Sequence, residues 1–183
     1  MLIRIIPLGN IQTKFLEFIS ADLEETLKVR TRIMQKMSIP SDAYNNFRRQ
    51  YNAERILDVI TQQLEAKFID KSIVTLFLTE EDIYYGGLNF VFGLEDTTKS
   101  SFIVSLARLK PEFYDQRPNI DRVVERTSKE IVHEIGHGLN LEHCHNRWCV
   151  MSFSPSVDDV DIKKKTFCDD CKIKMMTRGI SLE

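Results

Sequence analysis

Apolar positions change period several times along the chain, and each change marks an element. Residues 1–8 (MLIRIIPL) are largely apolar and end at a Gly9-Asn10 turn, the pattern of a buried opening strand. Ile11, Phe15, Phe18, Ile19 and Leu23 then recur near helical spacing over residues 11–23, and residues 26–34 alternate with the period of a strand. Pro40 breaks the pattern. From Asn52 to Phe68 the positions Ile56, Leu57, Val59, Ile60, Leu64 and Phe68 follow helical spacing, and the apolar run Ser72 to Thr79 fits a central strand. The first half therefore predicts a βαβαβ unit.

After Gly86 and Gly87 the character changes. Two further strands are expected at Leu88 to Gly93 and Phe102 to Ala107, paired antiparallel across a polar turn. Pro118 and Asn119 open a long helix, with Asn119 or Asp121 available as cap, running to about Leu139. The tail from Cys144 to Glu183 is turn-rich with one short helix at its end. The Lys163, Lys164, Lys165 run is expected to be a solvated turn. Tyr84, Tyr85 and Tyr114 are expected to pack.

Composition narrows the class without naming a chemistry. The 183 residues are 43% hydrophobic and 28% charged, enough for one folded domain with a real core. With 25 basic and 27 acidic residues the net charge is -2, which offers no electrostatic case for nucleic acid or an anionic membrane as partner. No stretch is apolar over the roughly 18 to 20 residues that span a bilayer, and residues 1–9 lack the layout of a secretory signal, so the expected address is cytoplasmic.

All four histidines lie between positions 133 and 145. His133 and His137 are one turn apart on the predicted helix, so both imidazoles leave one face and can share an ion. Glu134, beside the first, can take a proton from activated water without occupying a coordination position, which is the division of labour in HExxH zinc hydrolases. His143 supplies a third ligand only if the helix stops, because ten residues of helix separate two side chains by about 15 Å. Asn140 suits that stop, since Asn tolerates the left-handed conformation, and Gly138 weakens the helix just before it. His145 has no spacing argument and is expected in solvent.

The four cysteines fall in the same region: Cys144, Cys149, Cys168 and Cys171, a CxxxxC pair and a CxxC pair. That spacing suits a closed, structural zinc site holding a tail with little core of its own. Two disulfides, or a redox pair at Cys168 and Cys171, are the alternatives. Neither agrees well with the absence of an export signal or of a strand-to-helix context before CxxC.

Taken together, these residues resemble the archaemetzincins, whose pattern HExxHxxGxxHCxxxxCxM, followed after about 17 residues by CxxC, covers residues 133–171. His133, Glu134, His137, His143, Cys144, Cys149, Met151, Cys168 and Cys171 each fall on it. GLNFVFG at 87–93 and SLARL at 105–109 are also similar to family members. Asn140 stands where the family has glycine, and the spacer from Met151 to Cys168 is one residue shorter.

The resemblance implies an α+β metzincin-like zincin domain: a twisted mixed sheet, a backing helix, an active-site helix and a zinc-stapled C-terminal subdomain. Residues 1–143 would form the first part and 144–183 the second. It implies two zinc ions, one catalytic on His133, His137 and His143 and one structural on the four cysteines. Glu134 would be the catalytic base and Met151 an apolar floor beneath the histidines. The strand Leu88 to Gly93 would be an edge above the cleft, binding a peptide or protein substrate by strand addition, and residues 152–158 would wall a side-chain pocket. The expected activity is that of a zinc metallopeptidase. A zinc-stabilised peptide-binding protein with little or no hydrolysis, and a metal-dependent amidase acting on a non-protein substrate, are the competing readings.

Overall fold

The computed structural model describes residues 1–65 and 73–178. In chain order the elements are β1 (Leu2–Leu8), α1 (Thr13–Leu27), β2 (Arg30–Ile33), β3 (Tyr44–Asn45), β4 (Gln50–Asn52), α2 (Ala53–Glu65), β5 (Ile73–Thr79), β6 (Ile83–Tyr84), β7 (Gly93–Asp96), β8 (Ser101–Ser105), α3 (Ile120–Gly138), α4 (Val157–Ile162) and α5 (Asp169–Thr177). Five strands form the main sheet in the order β2-β1-β5-β8-β7, and β3, β4 and β6 form a small second sheet. The pairs β1/β2, β1/β5 and β5/β8 are parallel, the first two served by the helical crossovers α1 and α2, while β7 runs antiparallel to β8.

Alternation along the strands builds two cores. Ile3, Ile5, Leu76, Leu78, Phe102 and Val104 face α1 and α3, whereas Ile6, Leu8, Phe77 and Ile103 face α2. Helices therefore cover both faces of a mixed sheet. The active-site helix α3 lies against the same face as α1 and is buried at every position from Arg126 to Gly136.

Several boundaries differ from the sequence expectation. Helix α1 continues to Leu27 and β2 spans only Arg30–Ile33, because Leu27 is a core residue and the left-handed Lys28 ends the helix after it. The edge strand is Gly93–Asp96, not Leu88 to Gly93; its partner is Ser101–Ser105. Residues 88–92 form an irregular wall tied to the sheets by Val91 N donating to the Ile83 carbonyl and Ser105 N donating to the Phe92 carbonyl. Phe68 and Ser72, placed at the end of a helix and the start of a strand, lie outside the described residues. Lys163 is not a solvated turn residue: it is fully buried. Helix α4, unanticipated, starts from a Ser156 cap whose Oγ accepts from Asp159 N.

Candidate active site

Helix α3 opens on Asn119, whose side chain accepts the Arg122 amide at 3.0 Å. It closes on Asn140, whose φ of 61° is left-handed. Asn140 N donates to the His137 carbonyl at 2.8 Å and Leu141 N to the Gly136 carbonyl at 2.9 Å, the paired bonds of a Schellman stop. Buried Leu141 secures the reversal from within the core. The chain then turns back and brings His143 to the face that carries His133 and His137; the imidazole nitrogens of the three all lie within 4.8 Å of one another. Arg178, just past α5, donates to the Asn140 carbonyl and so ties the tail to this turn.

The tautomers of two histidines follow from their partners. His133 Nδ1 sits 2.8 Å from the Val150 carbonyl, and His137 Nδ1 2.9 Å from the Leu141 carbonyl. A carbonyl only accepts, so each Nδ1 carries the proton and each Nε2 presents a lone pair. Those two Nε2 atoms stand 3.0 Å apart. Two acceptors at that distance repel unless a cation sits beside both. Zinc at 2.0 to 2.1 Å from each nitrogen in a tetrahedron would hold them about 3.3 Å apart, so the donor set fits.

Electrostatics agree with neutral ligands. Burial is the largest influence on His133, followed by the nearby Lys163 charge and His137, and together they lower its pKa to about 2. Burial likewise lowers His137 and His143. His145, as expected, is exposed and outside the cluster.

Glu134 lies on the cleft side of α3 against the edge strand. A Cβ built on Gly93 would meet its Oε1 at 2.6 Å, so this close approach requires glycine at the start of β7. Burial raises the Glu134 pKa well above the usual carboxylate range, and Glu130 and Glu95 push it the same way against Lys163. On the other side of the helix, Met151 is fully buried, and a Cβ on Gly136 would meet its Sδ at 2.2 Å. Met151 therefore fills the space that Gly136 leaves open.

The cleft itself is about 580 Å³ and is lined by Glu134 and the three histidines, by Gly93 to Glu95 of β7, by Tyr85 and Leu88 to Phe92, and by Phe153 to Pro155. Tyr85, expected to pack, instead lines this cleft and is 39% exposed, whereas Tyr84 and Tyr114 do pack. Phe153 rests on His143 with ring centroids 5.0 Å apart. Glu95 and Glu130, which also line the cleft, carried no signal in the sequence beyond Glu130 standing one helical turn before Glu134.

Cys144, Cys149, Cys168 and Cys171 converge with all four sulfurs within 4.8 Å of one another. The Cys144–Cys168 and Cys149–Cys171 sulfur pairs are each 3.7 Å apart, and all four cysteines are free. A disulfide needs about 2.05 Å, while four sulfurs at 2.3 Å from one zinc are about 3.8 Å apart, so this arrangement fits a metal tetrahedron. Cys144 N donates to the Met151 carbonyl, and the two clusters thereby share one stretch of backbone.

Comparison with known proteins agrees with this geometry. The model of peptidase family M54 matches residues 13–177. An archaemetzincin of Methanocaldococcus jannaschii is 41% identical over 180 residues, covering 98% of this chain and 96% of that protein. The crystal structure of a zinc-dependent peptidase from Methanocorpusculum labreanum superposes with a TM-score of 0.85 at 26% identity, covering 94% of this chain and 99% of that one. The archaemetzincin of Archaeoglobus fulgidus, solved with malonate, gives a TM-score of 0.78 at 36% identity, covering 95% of this chain and 99% of that chain. Among the described residues no helix is long and apolar enough to cross a membrane. The chain belongs to peptidase family M54, the archaemetzincins, and is a metzincin-type zinc metallopeptidase.

Proposed function

We propose that the chain hydrolyses peptide bonds in the cleft above α3, with His133, His137 and His143 as ligands of a catalytic zinc and Glu134 as general base. The observation that carries this reading is the pair of Nε2 lone pairs 3.0 Å apart, at the floor of a cleft that Glu134 also lines. Bound there, zinc would supply the Lewis acidity that polarises a carbonyl and acidifies water. Glu134 takes the proton of the attacking water on a carboxyl oxygen and returns it to the departing amine.

Among the described residues β7 has a hydrogen-bonded neighbour only in β8, so its other edge offers backbone groups to an extended substrate beside Glu134. Residues 144–183 act as a second, metal-held part: a structural zinc on the four cysteines keeps the Met151 segment under the histidines. Two zinc ions per chain follow.

Metal analysis before and after chelation, followed by a peptide-library digest, tests the assignment. Glu134→Gln should keep both metals and lose at least about 100-fold in kcat, the scale of a general base. Equal cleavage by the two proteins would exclude Glu134 from that role.

A further inference from the structure

Carbonyls orient two of the three clustered histidines, His133 through Val150 and His137 through Leu141. His143 has no such partner. Among the described residues its ring nitrogens make no hydrogen bond, and it is the exposed member of the three. An imidazole that ligates a metal normally has its second nitrogen held by an acceptor, which fixes the turn of the ring as well as its tautomer. Something else must hold this one.

The contacts of the His143 ring identify what does. His133 and His137 lie against it, with ring centroids 5.3 and 4.8 Å away, and both converge on the same point as His143 itself. The remaining ring contact among the described residues is Phe153, 5.0 Å between centroids and tilted by 55°. Aromatic pairs favour such tilted arrangements over flat stacking. Core burial does not account for the position of Phe153, because its ring is 56% exposed although Cys149, Val150 and Met151 before it are buried.

The backbone under Phe153 is fixed to the backbone of His143. Cys144 N donates to the Met151 carbonyl at 2.8 Å, and Ser152 N donates to the Cys149 carbonyl at 2.9 Å. The segment 150–153 therefore meets the site three times. The Val150 carbonyl orients His133, the Met151 side chain fills the space at Gly136, and the Phe153 ring packs on His143.

We propose that Phe153 is a positioning residue for His143, its ring taking the place of a hydrogen-bond acceptor and restricting the rotation of the imidazole; the proposal rests on the three histidines being the catalytic zinc site. Each histidine then has one orienting group of its own: a carbonyl for His133, a carbonyl for His137 and a phenyl ring for His143.

The test reads the metal as well as turnover. Protein carrying zinc on the cysteines and cobalt on the histidines reports the histidine site through its visible absorption, and a chelator competition on the all-zinc protein reports how fast each site empties. Phe153→Ala should speed loss of the histidine-bound ion about 10-fold and shift the cobalt bands, the scale expected when a group that orients a ligand is removed. The cysteine-bound ion should leave at the wild-type rate. Phe153→Tyr keeps the ring and should match wild type in both readouts. Phe153→Leu keeps apolar bulk without a ring and should lie closer to Phe153→Ala than to wild type. The proposal falls if release and cobalt bands are unchanged in Phe153→Ala while KM rises, which would make the ring a substrate wall and nothing more. It also falls if both ions leave faster by the same factor, which would assign Phe153 to the fold as a whole. A wild-type protein that takes up metal on the cysteines alone would instead overturn the zinc-site reading on which the proposal rests.

Discussion

Lys163 Nζ lies 2.8 Å from Glu130 Oε1, and the two side chains are 0% and 4% exposed. Among the described residues neither atom makes a hydrogen bond to anything else. Each charge thus depends on the other, and the pair joins the end of α4 to α3 one turn before His133 and Glu134. Lys163 also acts on the site at longer range: its charge adds to the burial that lowers the pKa of all three clustered histidines, and it opposes the burial that raises Glu134.

Removing one member strands the other. Lys163→Met leaves a buried carboxylate without a counter-charge and should cost about 3 to 5 kcal/mol in urea unfolding of the zinc-loaded protein. Lys163→Met with Glu130→Gln should recover at least half of the loss, because the uncompensated charge is gone. A single variant within about 1 kcal/mol of wild type would mean that the pair opens to water.

Gly136 and Met151 make a prediction of a different kind. The Cβ of Gly136→Ala would come within 2.2 Å of the Met151 sulfur, so either the floor or the helix must move. The helix carries His133 three residues before and His137 one residue after. The expected result is a loss of about 1 to 3 kcal/mol in stability together with weaker zinc retention in a chelator competition. Restored retention when Met151→Ala is added would identify the clash as the cause. Unaltered retention in Gly136→Ala alone would contradict it.

The convergence of the three histidines was legible because it leaves a spacing in the chain: His133 and His137 share a helix face, and Asn140 signals the stop that brings His143 to them. The crossover strands were legible for a similar reason, since β1 and β5 are buried on both faces and read as continuous apolar runs. Lys163 was not legible. Within a lysine triplet nothing local distinguishes the buried member, and its partner Glu130 is 33 residues away. The edge strand was misplaced because residues 88–93 are as apolar as a strand, yet that apolarity serves a cleft wall and a core contact at Phe92.

Arg126 and Asp161 give a pH dependence. The guanidinium is 3% exposed and bonds both Asp161 carboxylate oxygens, at 2.7 and 2.6 Å, and the Leu109 carbonyl at 2.9 Å. The Arg126 hydrogen bonds hold the Asp161 pKa below the ordinary range against burial. A depressed folded-state pKa contributes stability that is present above the unfolded value of about 3.9 and is lost as the pH falls through the lower folded value. Asp161 is 39% exposed, so solvent discounts that contribution to about 1 kcal/mol or less. Asp161→Asn should therefore remove part of the acid-side slope of stability below about pH 4, and an unchanged slope would assign it to other carboxylates.

The histidine and cysteine clusters are joined by backbone, which gives the last prediction. Cys144 directly follows His143, its amide donates to the Met151 carbonyl, and the His133 imidazole bonds the Val150 carbonyl beside it. Arg178, beyond the helix that Cys168 precedes, holds the Asn140 carbonyl at the turn before His143. Loosening the cysteine site therefore releases restraints on two of the three histidines, although no cysteine touches an imidazole in that chain of contacts. Cys168→Ser should lower zinc content from two ions toward fewer than one per chain, and the ion that remains should leave faster to a chelator. The same variant should weaken the structural site without altering the cleft chemistry, so added zinc should restore part of kcat. An ion on the histidines that is as tightly held in Cys168→Ser as in the wild type would show that the clusters fold independently. In that case the shared backbone from His143 to Met151 would be a connection and not a coupling.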